Sequence, residues 1–390
     1  MSAHHADGTD VPLATHGLGY ERVEPDWARL TAEEVADVLG GPVRLRWHSP
    51  RPLSAAAVVE HDGRTVFLKR HHVSVRTLDG LAEEHAFARH LRSRGAPVVE
   101  VLGAEARGEW TYEVHTVGTG SDLYQDALSW TPFASDEHAH EAGAALARLH
   151  LAAAGHDAPP RQPQPLVASF GVFAAADPVA ALRTYTAARP ALAEALRELP
   201  VAADMERLHL PLHAELAPLL PHLAPLWTHN DWHASNLLWD TSGGTPRPGA
   251  APRRARVATV LDFGLSDRTT AVHDLAVALE RNMFGWLDLP TGHVPVQYGH
   301  IESLLRGYTA VRPLTEPEAE ALPSLLPLVN AEYALSEMDY FHGVTRSPAN
   351  TALARAYFTE HTRWFASAAG TSVVHRLRDV CRSLTGRHAV

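Results

Sequence analysis

Near residue 118 the chain changes its period, and that change limits the folds open to it. Between about 43 and 117 short runs of β-branched and aromatic residues read as strands: Val43–Trp47, Ala56–Val59, Val66–Leu68, Val98–Leu102 and Trp110–Val114. One helix lies among them, from Leu78 to Arg94, with Leu81, Phe87 and Leu91 recurring and Gly95 as its stop. A shorter helix precedes them, where Thr31 is followed three residues later by Glu34 and then by Val35, Val38 and Leu39. Past 118 the pattern is helical: Glu141 to Ala153, Pro178 to Leu199, Met205 to Leu223, Asp274 to about Leu287, and with breaks from 296 to 385. A β-rich unit at 227–263 interrupts this run. The Gly/Pro/Arg stretch between Trp239 and Val257 has no apolar face and predicts a long flexible hairpin loop. The expected organisation is a mobile tail at 1–20, a small β-rich lobe at 21–117, and a larger helical lobe at 118–390 carrying the 227–263 hairpin.

Within the β-rich part stands the only lysine of the chain. All other members of the 34 Lys plus Arg are arginine. Lys69 follows the strand run Thr65-Val66-Phe67-Leu68, after the turn signal His61-Asp62-Gly63-Arg64. Lysine is a compact ammonium on a thin stem, whereas arginine is a broad planar fork. A cleft that places one point charge among phosphates would refuse the fork.

Composition narrows the classes. A length of 390 residues allows two lobes with substantial cores, and 45 % hydrophobic with 20 % charged residues fits a soluble globular chain. A net charge of −11 argues against a general binder of nucleic acid or anionic membrane. The single cysteine, Cys381, excludes an intramolecular disulfide and a Cys-rich metal site. No apolar run reaches the roughly 18 residues of a membrane span, and no charged-then-apolar leader is seen, so the expected location is cytoplasmic. The 26 histidines are expected mostly at the surface, because none sits in an HExxH pattern and no dedicated zinc site is read from their spacing.

Two segments carry acidic residues at the edges of strongly apolar runs: Trp227-Thr228-His229-Asn230-Asp231-Trp232-His233-Ala234-Ser235-Asn236-Leu237-Leu238-Trp239 and Val257-Ala258-Thr259-Val260-Leu261-Asp262-Phe263-Gly264. Strand ends fix such groups rigidly beside a cleft. One lysine, two aspartates and one asparagine form an inventory suited to phosphoryl transfer, in which the protein supplies charge and position rather than covalent chemistry.

These residues resemble the aminoglycoside phosphotransferase and protein-kinase-like superfamily, nearest its small-molecule kinases of the homoserine and choline kinase types. The HxDxxxxN pattern is His229, Asp231 and Asn236, and the DFG-type motif is Asp262-Phe263-Gly264. The resemblance runs from about 40 to about 290. It implies an α+β, bilobal protein-kinase-like fold with a nucleotide-binding sheet in the small lobe. It further implies Asp231 as the base or hydroxyl-orienting residue, Asn236 and Asp262 as Mg²⁺ ligands, and Lys69 on the ATP phosphates with Glu84 positioning it. Tyr112-Glu113-Val114-His115 would be the hinge that holds adenine through backbone groups. His229 would brace the catalytic loop, and Asp274 would cap the helix it opens and tie that loop down.

Three departures shape the expectation. Asn230 replaces the arginine of protein kinases, and only Leu265 to His273 separates Asp262-Phe263-Gly264 from the next helix, too little for a regulated activation segment. The expected phosphate loop, Ser49 to Ala57, contains no glycine, which bears on nucleotide affinity. The expected acceptor is a hydroxyl of a small molecule: an amino alcohol, a hydroxy amino acid, an aminoglycoside or another natural product. Its pocket would lie among the helices at 178–225 and 296–345, with Trp232 and His233 at its border. Asn330, Tyr333, Glu337 and Tyr340 or Phe341 would share one helical face toward an amine-bearing ligand; the alternative for that face is a solvated acidic edge. Two other functions fit the same residues: phosphorylation of Ser/Thr in a peptide, or a nucleotide-binding pseudokinase. Acceptor identity, ATP against GTP and oligomeric state are not legible.

Overall fold

The computed structural model describes residues 25–50, 53–127, 131–167, 169–240 and 255–386, with short strands at 15–16 and 22–23. The expected tail falls largely outside the described residues, and so does most of the 240–256 loop. Strands β1 (Thr15–His16) and β2 (Arg22–Val23) pair with each other. Helix α1 (Ala32–Leu39) forms where the sequence signals it: Thr31 and Glu34 make a reciprocal capping box, and Gly40 closes the helix at φ 77°.

The small-lobe sheet comprises β3 (Val43–His48), β4 (Ala55–His61), β5 (Arg64–His72), β6 (Val101–Arg107) and β7 (Trp110–Thr116), antiparallel in the order β3-β4-β5-β7-β6. Period-two alternation splits its two faces. Val66, Leu68 and Tyr112 pack with Ala57, Val59 and Val35 under α1. Phe67, Lys69, Glu113 and His115 face the other way, into a cavity beneath α2 (Leu78–Ser93). The β6 strand starts later than predicted, because Val98 leaves the sheet to bridge Val260, whose N–H donates to the Pro97 carbonyl at 2.8 Å. Helix α2 is shared: its Phe87 and Leu91 belong to the core of the large lobe, with Phe87 against Trp227 and Phe263.

The large lobe continues with α3 (Asp136–Ala153), α4 (Pro178–Ala187), α5 (Pro190–Leu196), α6 (Val201–Asp204) and α7 (Leu210–Leu216). The single helix expected over 178–199 is two, since Pro190 cannot continue α4 and opens α5 instead. The next predicted helix begins earlier and ends sooner than expected: α6 runs through a π turn at Met205–His209 into α7, which stops at Leu216. Strands β8 (Pro225–Thr228), β9 (Leu237–Asp240), β10 (Arg256–Val260) and β11 (Asp267–Thr270) form two antiparallel pairs, β9 with β10 and β8 with β11. Then follow α8 (Ala271–Met283), α9 (Tyr298–Val311), α10 (Glu316–Leu325), α11 (Val329–Gly343), α12 (Pro348–Phe365) and α13 (Ala368–Thr385). The whole is the expected α+β arrangement, an antiparallel sheet followed by a mainly helical part. Among the described residues no helix is long and apolar enough to cross a membrane.

Histidine placement departs from expectation. His71, His85, His150, His209, His229, His233, His273 and His361 are buried. Several are inside because a polar partner meets the ring: His150 meets Asp274 at 3.0 Å and His361 meets Glu280 at 2.9 Å.

Helices α3 and α9 cross closely because glycine sits at the contact. A Cβ at Gly143 would lie 2.1 Å from the Leu304 carbonyl oxygen, and one at Gly307 would lie 1.8 Å from that of His140. Gly307→Ala should therefore destabilise the protein by about 1–3 kcal/mol through overpacking. The measurement is the midpoint of thermal or urea unfolding, and an unchanged midpoint would contradict this packing.

Candidate active site

The catalytic loop, 229–236, is held by one face of α8. Asp274, fully buried, accepts from the backbone N–H of His229 at 2.9 Å and of Asn230 at 2.8 Å. Two turns later on the same face, Arg281 reaches Asp231 at 3.3 Å, and Asn282 holds Ala234 N–H at 3.1 Å and the Trp232 carbonyl at 2.7 Å. Asp274 thus ties down the loop as expected. It does not cap its helix, because Thr270 does that, accepting from His273 N–H. His229 donates to the Leu261 carbonyl at 2.9 Å and accepts from Asp231 N–H, linking the loop to the strand that carries Asp262.

Lys69, Asn236 and Asp262 line one cavity of about 330 Å³. Lys69 Nζ lies 3.3 Å from both oxygens of Asp262. Burial alone would push the ammonium's pKa down, but Asp262, Glu113 and Glu84 outweigh it and raise it. Asn236 donates through Nδ2 to the Asp231 carbonyl at 2.9 Å and to its Oδ2 at 3.1 Å. That fixes the amide and leaves its oxygen as an acceptor. An amide oxygen and a carboxylate are the hard donors that Mg²⁺ takes, so the pair fits such an ion. Burial would raise the Asp231 carboxyl, but Arg281 and His233 hold it well below the ordinary carboxylate range.

Glu84 lines the same cavity, but its ion pair is with Arg161 at 3.2 Å rather than with Lys69. Lys69 turns to Asp262 instead, and Glu84 acts on it only through space. Arg161 is fully buried and also donates to the carbonyls of Gly80, Gly264 and Ser266. Arg76 adds a second guanidinium on the Gly264 carbonyl at 2.8 Å. Arg161 thereby pins the Asp262-Phe263-Gly264 turn to α2, and Arg76 ties the same turn to the Pro165 carbonyl. Sequence reasoning missed both, because neither lies in a motif.

The segment expected as the hinge lies inside the sheet. Tyr112, Glu113, Val114 and His115 lie within β7, whose backbone pairs with β5 on one side and β6 on the other. Backbone groups spent on two ladders cannot hold a base. Val114 faces the α1 side, while Glu113 and His115 reach the cavity through their side chains. The cavity wall continues as Thr116, the last residue of the strand, and as Val117 and Gly118 beyond it. A Cβ at Gly118 would lie 2.7 Å from Leu238, so this segment runs close against the β9–β10 hairpin. Glu113 is buried and accepts from three imidazoles, His71 on Oε1 at 2.9 Å and His85 and His115 on Oε2 at 2.8 Å each.

Residues 54–314 match the model of a phosphotransferase enzyme family. The chain belongs to that family. Its fold is also that of the amicoumacin kinase hAmiN, solved with AMP-PNP, Ca²⁺ and Ami, at 13 % identity and a TM-score of 0.52 over 83 % of this chain and 88 % of that one. Weaker similarities are to aminoglycoside-3'-phosphotransferase of type VIII (19 % identity, TM-score 0.40, 71 % of this chain and 88 % of that one). Another is APH(3'')-Id from Streptomyces rimosus with ADP and streptomycin (18 %, 0.39, 67 % and 90 %). No curated protein matches the chain.

In this phosphotransferase the expected acceptor residues are largely interior. Trp232 is fully buried and packs edge-on against His229, so its side chain does not border an open pocket. His233 stays beside Asp231, at 3.5 Å. Helix α11 has no solvated edge: Asn330, Glu337, Tyr340 and Phe341 are all buried. Tyr340 donates to Asp26. Arg281 lies 4.2 Å above the Tyr333 ring, and the cleft beside Tyr333 and Asn330 holds only about 10 Å³, no more than one water. Arg281 had a periodic signal, seven residues after Asp274 on one helical face.

Two predictions follow from these buried charges. Arg161→Met should destabilise the protein by about 3–5 kcal/mol, because it strands the Glu84 carboxylate. Adding Glu84→Gln should recover part of that loss, and strict additivity in the double-mutant cycle would refute the pairing. Burial pushes Glu337 up to about 8. A carboxyl raised on folding favours the native state while protonated, so its contribution is full below the unfolded value near 4.5 and is lost as pH rises through about 8. Between those limits the unfolding free energy of wild type should fall relative to Glu337→Gln. Parallel curves for the two proteins would disprove the assignment.

Proposed function

We propose that this phosphotransferase is an ATP-dependent, Mg²⁺-requiring kinase that transfers the γ-phosphoryl group to a hydroxyl of a small molecule in the cytoplasm. The observation that carries this is the convergence of Lys69, Asp262 and Asn236 on one cavity, with Lys69 paired to Asp262 and Asn236 hydrogen-bonded to Asp231 just behind the wall. Amino alcohols, hydroxy amino acids, aminoglycosides and other natural products remain the acceptor classes.

The roles follow from position and charge. Base-stacking surface comes from Ala56, Val58, Phe67 and Leu238 in the cavity lining, and the Val117–Gly118 backbone takes the hinge role. Lys69 offers its ammonium to phosphate oxygens, a charge-assisted contact that replaces its present pairing with Asp262. Asn236 and Asp262 would hold Mg²⁺, which screens the phosphate charge when bound. Asp231 stays ionised beside Arg281 and orients the acceptor hydroxyl by accepting its hydrogen bond. A loose phosphoryl-transfer transition state asks for that proton only late, so a carboxylate of low basicity suffices. The low exposure of the Asp231 side chain, 15 %, supports a small acceptor over a peptide strand.

Lys69→Arg should lose about 10²-fold or more in kcat, because the fork cannot take the place of a point charge. Asp262→Ala should abolish Mg²⁺-dependent nucleotide binding measured by calorimetry. Acceptor-dependent ADP release, screened over hydroxylated metabolites and antibiotics, reads the first. A Lys69→Arg enzyme running at near wild-type rate would show the phosphate assignment to be wrong.

A further inference from the structure

Three imidazoles surround Glu113, and two of them, His85 and His115, line the same cavity. Their spacing in the chain carries no metal pattern, because they come from β5, α2 and β7. Folding assembles them. Lys69 and His71 share one face of β5, Glu113 and His115 share the matching face of β7, and α2 lies over that face with His85. One nitrogen each of His85 and His115 and one Glu113 oxygen then lie within 4.8 Å of one another. Glu113 presents Oε2 to this pair, while its other oxygen is held separately by His71.

We propose that His85, Glu113 and His115 form a binding site for a zinc-class divalent cation, with His71 bracing the carboxylate. Two imidazoles and one carboxylate make a three-ligand set that leaves a coordination position open. All three line the cavity, so the open position faces it. The His71 contact is the outer hydrogen bond that ligating carboxylates require. Zinc bonds of about 2.0–2.2 Å at tetrahedral angles separate donor atoms by about 3.3–3.5 Å. The imidazoles would therefore retreat by about half an ångström from their 2.8 Å contacts, a small side-chain rotation. On binding, each ligating imidazole gives up its Nε2 proton, to Nδ1 from a neutral ring or to solvent from a protonated one, so that the lone pair turns to the metal. Nitrogen donors select zinc, cobalt, nickel or copper over magnesium, which separates this site from the oxygen pair of Asn236 and Asp262. Lys69, opposite Glu113 in the sheet register, has its charge engaged by Asp262.

The test is titration of Co²⁺, with Zn²⁺ in competition, into the full-length, untagged protein without nucleotide. Visible absorption and the shift of the unfolding midpoint are the readouts. Wild type should bind one equivalent. His85→Gln and His115→Gln should each weaken binding at least 100-fold, and His71→Gln by about 10–100-fold. Asp262→Asn should leave it unchanged. His115, the most accessible of the three, decides the matter if His85→Gln does not fold. No stoichiometric binding by folded wild type overturns the proposal, as does binding that survives His115→Gln or disappears in Asp262→Asn. Turnover is not measured, so this result and the kinase result stand or fall separately.

Discussion

Everything chemical in this protein hangs on a buried aspartate gripping two backbone amides. Asp274 has no solvent contact and accepts from His229, Asn230 and the ring of His150. Burial would drive its carboxyl pKa up, but those donors, led by the His150 hydrogen bond, hold it below the ordinary value. A helix is a stiff object, so a carboxylate fixed on α8 fixes the catalytic loop, and the loop fixes Asp231 and Asn236. Arg281 and Asn282 repeat the grip two turns on. The loop is thereby positioned by a rigid element it merely touches, which is how an irregular segment holds catalytic geometry.

Charge in the cavity is arranged as two interlocked pairs. Lys69 answers Asp262, and Arg161 answers Glu84. The exchange makes physical sense of the single lysine. Arginine is committed to the interior position, where its five donors meet Glu84 and several carbonyls at once. Lysine is left at the cavity surface, where its ammonium can change partners. Asp262 is the more exposed partner, its side chain 43 % accessible, and is free to exchange Lys69 for another cation.

The sequence disclosed the parts whose physics is local. The strand run Thr65–Leu68 and the lone lysine after it marked a cleft residue, the Thr31–Glu34 box marked α1, and the two acidic motifs marked the 227–263 hairpin. Features that depend on distant segments were not legible. Nothing local distinguishes Arg161 from the chain's other arginines, and Glu84 gives no sign that it would choose a guanidinium from beyond α3. That Tyr112 to His115 are paired on both sides was not legible either, because a strand's ladders are set by its neighbours and not by its own residues. Trp232 and the α11 residues looked available because polar and aromatic side chains usually seek the surface, yet here partners such as Arg281 and Asp26 carry several of them inside. The buried histidines, His150 and His361 among them, are inside for the same reason.

Two residues pay for the site's shape in backbone strain, and their identities show how the strain is contained. Asn230 and Asp262 adopt φ of 59° and 57°, in the left-handed region that costs most side chains about 1–3 kcal/mol. Both are the short, hydrogen-bonding kind that tolerates it. Asn230 accepts from Thr228 at 3.0 Å and donates to the Leu265 carbonyl, while Asp262 accepts from Gly264 N–H at 3.2 Å. Each turn thus leaves its own side chain hydrogen-bonded, and each reverses the chain beside the end of a strand. Arginine at 230 could not close the first turn in this way. The departure from the protein-kinase pattern at that position therefore follows from the turn itself: with no activation segment to hold, the residue is free to serve the backbone.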